Sequence, residues 1–318
     1  MDNPSKAPTR RVDGVLLLDK SVGLTSNTAL QRAKRLYRAD KAGHTGTLDP
    51  AASGLLPICF GEATKFAQTL LDADKRYIAV MRLGVTTSTG DAEGEILRKL
   101  PVEVSPADVE AVLPRFRGNI AQRPPRHAAL KYRGRNYYEY ARAGIEIPRA
   151  ERNIVVSEII VELCSLPDVR VRISCSKGTY IRVLAEDIGE ALGCGAHLAS
   201  LRRTATGGFD LAAAATFDRL AALSEAERDA QLLPADALVG ALPKLDLSSE
   251  EAARILRGQA IPRAGIVDGS YRAYASEVFA GVAHAIEGIV HPRRLVARSG
   301  DSTERRDAIR QPVESLES

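Results

Sequence analysis

Residues 13–38 read DGVLLLDKSVGLTSNTALQRAKRLYR, and their two halves obey different periods. DGVLLLD (13–19) is a short apolar run fenced by Gly14 and by KSVG, which reads as a buried strand. SNTALQRAKRLYR (26–38) places Leu30, Ala33, Leu36 and Tyr37 on one helical face behind a Thr25/Ser26 cap. Arg32, Arg35, Arg38 and Lys41 fall mostly on the opposite face, where a solvated surface and a phosphate-binding surface fit equally well. Further on, ATKFAQTLLDADK (63–75) begins another helix, and KRYIAVMRLG (75–84) alternates as a strand with Tyr77, Ala79, Met81 and Leu83 facing one way. SPADVEAVLPRF (105–116) opens on a Ser-Pro helix start with an acid in its first turn. NIVVSEIIVEL (153–163) and VRVRISC (169–175) are β-branched strands, and TYIRVLAEDIGEALG (179–193) is a helix ended by Gly193. Strands interspersed with helices, without a strict βαβα rhythm, point to α+β around a mixed or antiparallel sheet with flanking helices.

The 318 residues suffice for one large domain, 13–240, and a small β-rich one, 241–300, between polar tails at 1–12 and 301–318 that are expected to be disordered. Residues 205–240 are alanine-rich and expected to be helical. The small module starts with SSEEAARILRGQ (248–259), a Ser-x-x-Glu capping box closed by Gly258, and continues through YRAYAS and VFAGVAH as short strands. At about 60 residues it is small for a free-standing domain and is expected to lean on the larger one. No run of eighteen apolar residues occurs, and MDNPSKAPTRRV lacks the apolar stretch of a secretory signal. Membrane attachment is therefore not expected, and the cytoplasm is the expected compartment. Cys59, Cys164, Cys175 and Cys194 are scattered among apolar neighbours and read as buried thiols. With the five histidines equally dispersed, no metal site is expected.

The stretch GHTGTLDP (43–50) places one acid, Asp49, in a segment of glycines, threonines and a proline. It is no P-loop, because no Gly-Lys-Ser/Thr end is present, and no GxGxxG occurs elsewhere. A glycosidase needs a facing pair of carboxylates. Asp72, Asp74, Asp91 and Glu93 are available, but helix ends and turns account for them, so Asp49 reads as the lone reacting acid. Between Arg115 and Arg152 ten bases stand against three acids, a net +7, whereas the whole chain is only +4 and the remainder sums to −3. A basic segment on a mildly acidic body points to a polyanionic partner. Within it, KYRGRNYYEYAR (131–142) packs four of the nine tyrosines among arginines. That composition suits base stacking and phosphate contact, or else an amphipathic helix packing on the body. CSKGTYIR (175–182) ends a strand and opens a helix, where Arg182 could keep a carboxylate charged.

Together GVLLLDKSVGLTSN (14–27), AGHTGTLDPAASGLLPICFGEATKF (42–66), DKRYIAVMRLG (74–84), ALKYRGRNYYEYAR (129–142), CSKGTYIR and LGCGAHLASLRR (192–203) resemble the bacterial tRNA pseudouridine synthase family called TruB. The six motifs run in family order over most of residues 13–210, and the tail module is similar to a PUA-type RNA-binding domain. The resemblance implies an isomerase that converts the tRNA T-arm uridine numbered 55 into pseudouridine. Uracil leaves C1′, turns and rejoins through C5, so no redox cofactor, ATP or metal is required. The nucleotide must first be flipped out of its loop. Carried over by motif, Asp49 is the essential carboxylate, attacking C1′ or otherwise assisting cleavage, and Arg182 pairs with it. Tyr77 lies against the uracil as the candidate for proton transfer, Tyr180 closes the pocket, and Leu201 packs on the base. His44 enters the space the nucleotide vacates, and Lys20, Lys131, Arg133 and Arg135 are the substrate-binding bases. Ser21 and His127-Ala128 stand where the family commonly has a proline and a Tyr-Ser pair. The basic insertion at about 115–152 favours a stand-alone monomer gripping the T-arm, with no protein partner, over a guide-RNA-dependent synthase. A noncatalytic RNA-binding or RNA-folding protein is the other alternative, disfavoured by the joint presence of Asp49, Tyr77 and Arg182.

Overall fold

The fold is a computed structural model that describes residues 8–128 and 130–297. The expected tail at 301–318 and the first seven residues lie outside that range.

One strand anchors everything else. Gly14–Lys20 is buried along almost its whole length, without alternation. The reason is that both of its faces are covered: Leu16 and Leu18 join one apolar core, Val15 and Leu17 another. Continuous apolar sequence, not a period of two, is what a strand buried on both sides needs. From it a mixed sheet extends through Ala52–Phe60, Ala196–Thr206, Lys75–Leu83, Asp168–Cys175, Arg152–Ser165 and Gly118–Gln122. Ala52–Phe60 and Ala196–Thr206 run parallel, and the other neighbours along this path are antiparallel. Short strands at Ala42–His44 and Phe209–Asp210 complete the nine.

Helices Ser26–Leu36 and Ile181–Ala191 supply Ala29, Leu30, Ala33, Leu184 and Ile188 to the larger core, against Ile58, Ala79, Met81 and Val171. The first helix starts as its sequence demands, with the Thr25 hydroxyl accepting the Thr28 N–H at 3.0 Å. Gly54 marks the closest approach in the sheet. Its φ is +102°, and a Cβ there would sit 2.3 Å from the Arg203 carbonyl oxygen.

Three expectations need correction. Residues 8–12 are docked: Arg10 bridges Asp229 and the Tyr37 carbonyl, and Val12 is buried. The alanine-rich segment is not continuous helix; it breaks into Phe217–Ala222, Glu225–Asp229 and two single turns. The cause is the open edge of the first strand, whose backbone groups take Ala215 and Leu233 as partners at 2.8–3.0 Å. Cys164 is half-exposed near the end of its strand, whereas Cys59, Cys175 and Cys194 are buried.

The small module is a five-stranded sheet, Lys244–Leu247, Gly269–Ala275, Val278–Ile286, Ile289–Leu295 and Ile261–Pro262, with helix Ser249–Leu256 behind a Ser248/Glu251 capping box. It leans on the large domain as anticipated. Phe279 meets Phe66 at 5.3 Å between ring centroids, and Lys65 donates to the Leu295 carbonyl at 2.9 Å.

Gly54→Ala forces the parallel pair of strands apart and is expected to cost about 3 kcal/mol of unfolding free energy, the upper end for overpacking a core. Urea unfolding measures it; a loss below about 0.5 kcal/mol, typical of an indifferent surface change, contradicts the tight approach.

Candidate active site

Asp49 sits in a loop that is pinned at each end of its curve. The Ser26 hydroxyl donates to the Leu48 carbonyl at 2.9 Å and accepts the Leu48 N–H at 2.8 Å. Leu48 itself is buried, Thr45 N–H donates to the Pro57 carbonyl, and Ala52 N–H donates to that of Asp49. A loop with no regular backbone partners is thus held by the first turn of the Ser26–Leu36 helix. Its acid projects outward: 43% of the Asp49 side chain stays exposed.

Behind it lies Arg182, buried on the first turn of the Ile181–Ala191 helix. Its Nε is 3.2 Å from Asp49 Oδ2 and its Nη1 is 3.2 Å from Asp91 Oδ2. The same guanidinium donates to the carbonyls of Thr89 and His127, each at 3.1 Å. Asp91 was discounted from sequence as a turn residue. It does close a turn, accepting from the Thr89 hydroxyl at 2.5 Å and the Glu93 N–H at 3.1 Å. It is also a buried second acid sharing the arginine, so Asp49 does not stand alone. Burial pushes the Asp49 carboxyl above its usual range, and Asp91 adds to the rise, against the pull of Arg182 and Lys20.

Tyr77 and Leu201 share a face of the sheet, because Tyr77 pairs with Arg203 and Ala79 with Leu201 across adjacent antiparallel strands. Burial raises the Tyr77 phenol, opposed by the nearby Arg203 guanidinium. Tyr180 occupies the cap position before Ile181 and is fixed by Gln122, which accepts the Tyr180 N–H at 2.8 Å and donates to its carbonyl at 3.0 Å. Gln122, buried in the QRPP run, carried no signal in the sequence. His44 ends the strand Ala42–His44, and its Nδ1 is buried without a partner. Burial and Arg203 lower its pKa, which favours the neutral ring.

Lys20 departs from its expected role. It is fully buried, and its ammonium donates to the carbonyls of Ser21 at 3.0 Å and Leu24 at 2.7 Å. Burial brings its pKa down to about 8. A cation so enclosed holds the chain beside the Asp49 loop and offers no surface to a phosphate.

Lys131, Arg133 and Arg135 lie on a hairpin of two-residue strands in the basic segment, and all three are exposed. Arg133 and Gly134 form its tip with φ of +47° and +84°, the backbone of a type I′ turn. The neighbouring tyrosines are not bare stacking platforms. Arg133 lies over Tyr132, Arg135 over Tyr140 and Arg142 over Tyr138, at 5.3–5.5 Å from the ring centroids.

Residues 34–181 match the model of the TruB family pseudouridylate synthase N-terminal domain. Residues 182–240 match the tRNA pseudouridylate synthase B C-terminal domain, and 243–296 match the pseudouridine synthase II TruB C-terminal model. The chain belongs to the TruB family. Among TruB relatives, tRNA pseudouridine synthase B of Burkholderia lata is 54% identical over 92% of both chains. That of Thiobacillus denitrificans is 55% identical over 92% of this chain and 98% of its own. In solved structures, a chain of an H/ACA RNP bound to a substrate RNA containing 2′-deoxyuridine aligns with TM-score 0.68 and 26% identity, over 94% of this chain and 92% of that one. A chain of a Cbf5-Nop10-Gar1 complex gives 0.64 and 29%, over 90% and 84%. Mixed sheet, flanking helices and β-rich C-terminal domain are therefore those of TruB-type synthases.

A carboxyl raised by burial favours its protonated form in the fold. Its contribution to stability is full below the unfolded value of 3.8 and is lost as pH rises through the higher folded value. Asp49→Asn is accordingly expected to be more stable than the native chain at pH 7, with the gap closing toward pH 3.5. Denaturant titrations at the two pH values check this; a native chain more stable than the variant at pH 7 contradicts it.

Proposed function

We propose that this chain is a tRNA pseudouridine synthase that isomerises uridine 55 of the T-arm, acting as a cytoplasmic monomer without guide RNA or protein partner. The observation that carries the reading is the half-open Asp49 carboxylate held 3.2 Å from a buried arginine, in a chain matched by TruB models from residue 34 to 296.

The flipped uridine enters the cleft between the Asp49 loop and the face bearing Tyr77 and Leu201. Extrusion costs a few kcal/mol, which contacts to the rest of the T-arm offset. Asp49 presents negative charge at C1′ as the bond to N1 breaks, and Arg182 aims that carboxylate and favours its ionised form against the rise that burial imposes. Uracil, confined between Tyr77, Leu201 and Tyr180, turns and bonds to C1′ through C5. The proton on C5 then leaves and N1 gains one, so the product is an isomer and no other reactant is consumed. Tyr77 is the buried phenol placed to relay the C5 proton. His44 fills the gap left in the T-loop, and the small module 244–295 extends the RNA surface.

Independence from a guide is supported by two observations. Relatives named tRNA pseudouridine synthase B are 54–55% identical, against 26–29% for the chains of the H/ACA and Cbf5 complexes. The segment 115–152 also carries a net +7, with Lys131, Arg133 and Arg135 exposed, which can hold an RNA arm directly.

Release of tritium from C5-labelled uridine in a T-arm transcript tests the activity. The native chain is expected to release it and Asp49→Asn to bind the transcript with no release; equal release from both leaves only an RNA-binding protein. Replacing Arg133 and Arg135 together by alanine is expected to weaken T-arm binding and flatten the slope of log K against log salt by about two. Unchanged affinity removes the hairpin from the interface.

A further inference from the structure

Arg203 is among the largest fully buried side chains, at 1% exposure. Its guanidinium makes its hydrogen bonds to backbone carbonyls: Nε donates to Leu55 at 2.7 Å and Nη2 to Gly46 at 3.1 Å. Gly46 belongs to the loop that carries Asp49, and Leu55 to the strand that follows it. Tyr77 is the residue paired with Arg203 across the sheet, so the two side chains share one face. Two glycines make room for Arg203. A Cβ on Gly46, whose φ is +80°, would come 3.3 Å from Nη1, and a Cβ on Gly54 would strike the Arg203 backbone. A planar guanidinium presents its donors in a fixed fork, so it can hold the Gly46 and Leu55 carbonyls at one set spacing, whereas an ammonium on a flexible stem sets no such geometry.

We infer that Arg203 is a positioning residue for the isomerisation, fixing the Asp49 loop and the Tyr77 phenol in one mutual geometry. The inference rests on the function proposed above and names a component of the same site. Arg203 contacts neither sugar nor base in this account. It acts through Gly46, Leu55 and Tyr77, so its loss should slow the bound substrate and leave RNA binding to the exposed bases. Misplacement of reacting groups by about 1 Å costs on the order of 100-fold in rate.

The test is single-turnover tritium release at saturating T-arm RNA, with dissociation constants measured alongside. Arg203→Lys retains charge but lacks the fork and is expected to lose roughly 100-fold in the saturated rate. Its affinity for the RNA is expected to stay within about threefold, because the phosphate contacts lie elsewhere. A native saturated rate in Arg203→Lys, or a loss that appears only in affinity, overturns the inference. Should Arg203→Lys fail to fold, Gly46→Ala keeps the arginine and crowds its fork. It should show the same split, and a native rate there is equally fatal. Asp49→Asn run in parallel separates the two levels: release by the native chain no faster than by that variant removes the proposed function itself.

Discussion

The site depends on one buried guanidinium, that of Arg182, shared between two carboxylates. An arginine this enclosed costs several kcal/mol if unpaired, so the sequence must deliver partners to it from distant segments. They come from three: Asp49 from the loop after the first helix, Asp91 with Thr89 from a glycine-rich turn, and His127 from the basic insertion. Asp91 is buried and fully engaged, whereas Asp49 is half-open. The division is chemically useful. Asp91 compensates the arginine's burial permanently, leaving Asp49 free to face a ligand without stranding the cation. The rise in the Asp49 pKa shows the cost of that arrangement, since burial and a neighbouring acid outweigh the attraction of the arginine.

A second constraint is positive charge held by carbonyls. Lys20, Lys75 and Arg203 are all buried, and all donate to backbone oxygens. Lys75 reaches Leu70, Leu71 and Ala73, closing the C-terminus of the short helix Ala67–Asp72, where carbonyls lack intrahelical partners. Lys20 does the same for the turn at Ser21 and Leu24. These cations take the place of regular secondary structure around the Asp49 loop, where the chain must be irregular yet fixed. Arg203 also bears on His44, adding its repulsion to the cost of burying the ring and lowering its pKa.

How much of this was legible follows from which contacts are local. The strand at 75–83 was read correctly because its alternation reports one buried face, and the caps at Thr25, Ser105 and Ser248 because each binds a backbone N–H three residues on. The Asp49–Arg182 pair was expected through motif resemblance and is found at 3.2 Å. Asp91, Gln122 and Arg203 were missed for a common reason: their partners lie in other segments, brought together only when the sheet closes. The burial of Lys20 is not legible locally, because a lysine at the end of an apolar strand is ordinarily exposed and nothing nearby in sequence announces carbonyls converging on its ammonium. The alanine-rich stretch looked helical by propensity, but the open edge of the Gly14–Lys20 strand claims its backbone at Ala215 and Leu233.

The basic insertion links the two constraints. Its outer half is a hairpin whose arginines rest on the segment's own tyrosines, which limits their rotamer freedom while their charge stays exposed. Its inner end reaches the cleft, where the His127 carbonyl accepts one N–H of Arg182 and Gln122 clasps Tyr180. The segment that carries the excess charge is therefore the same one that completes the arginine's hydrogen bonds. Moving it from its seat would leave a buried guanidinium donor without an acceptor, a penalty of about 1–3 kcal/mol. The seating of the basic insertion and the alignment of Asp49 consequently meet at one side chain, Arg182. The departure at His127-Ala128 leaves that link intact, because it is made by a backbone carbonyl, which any residue at position 127 provides.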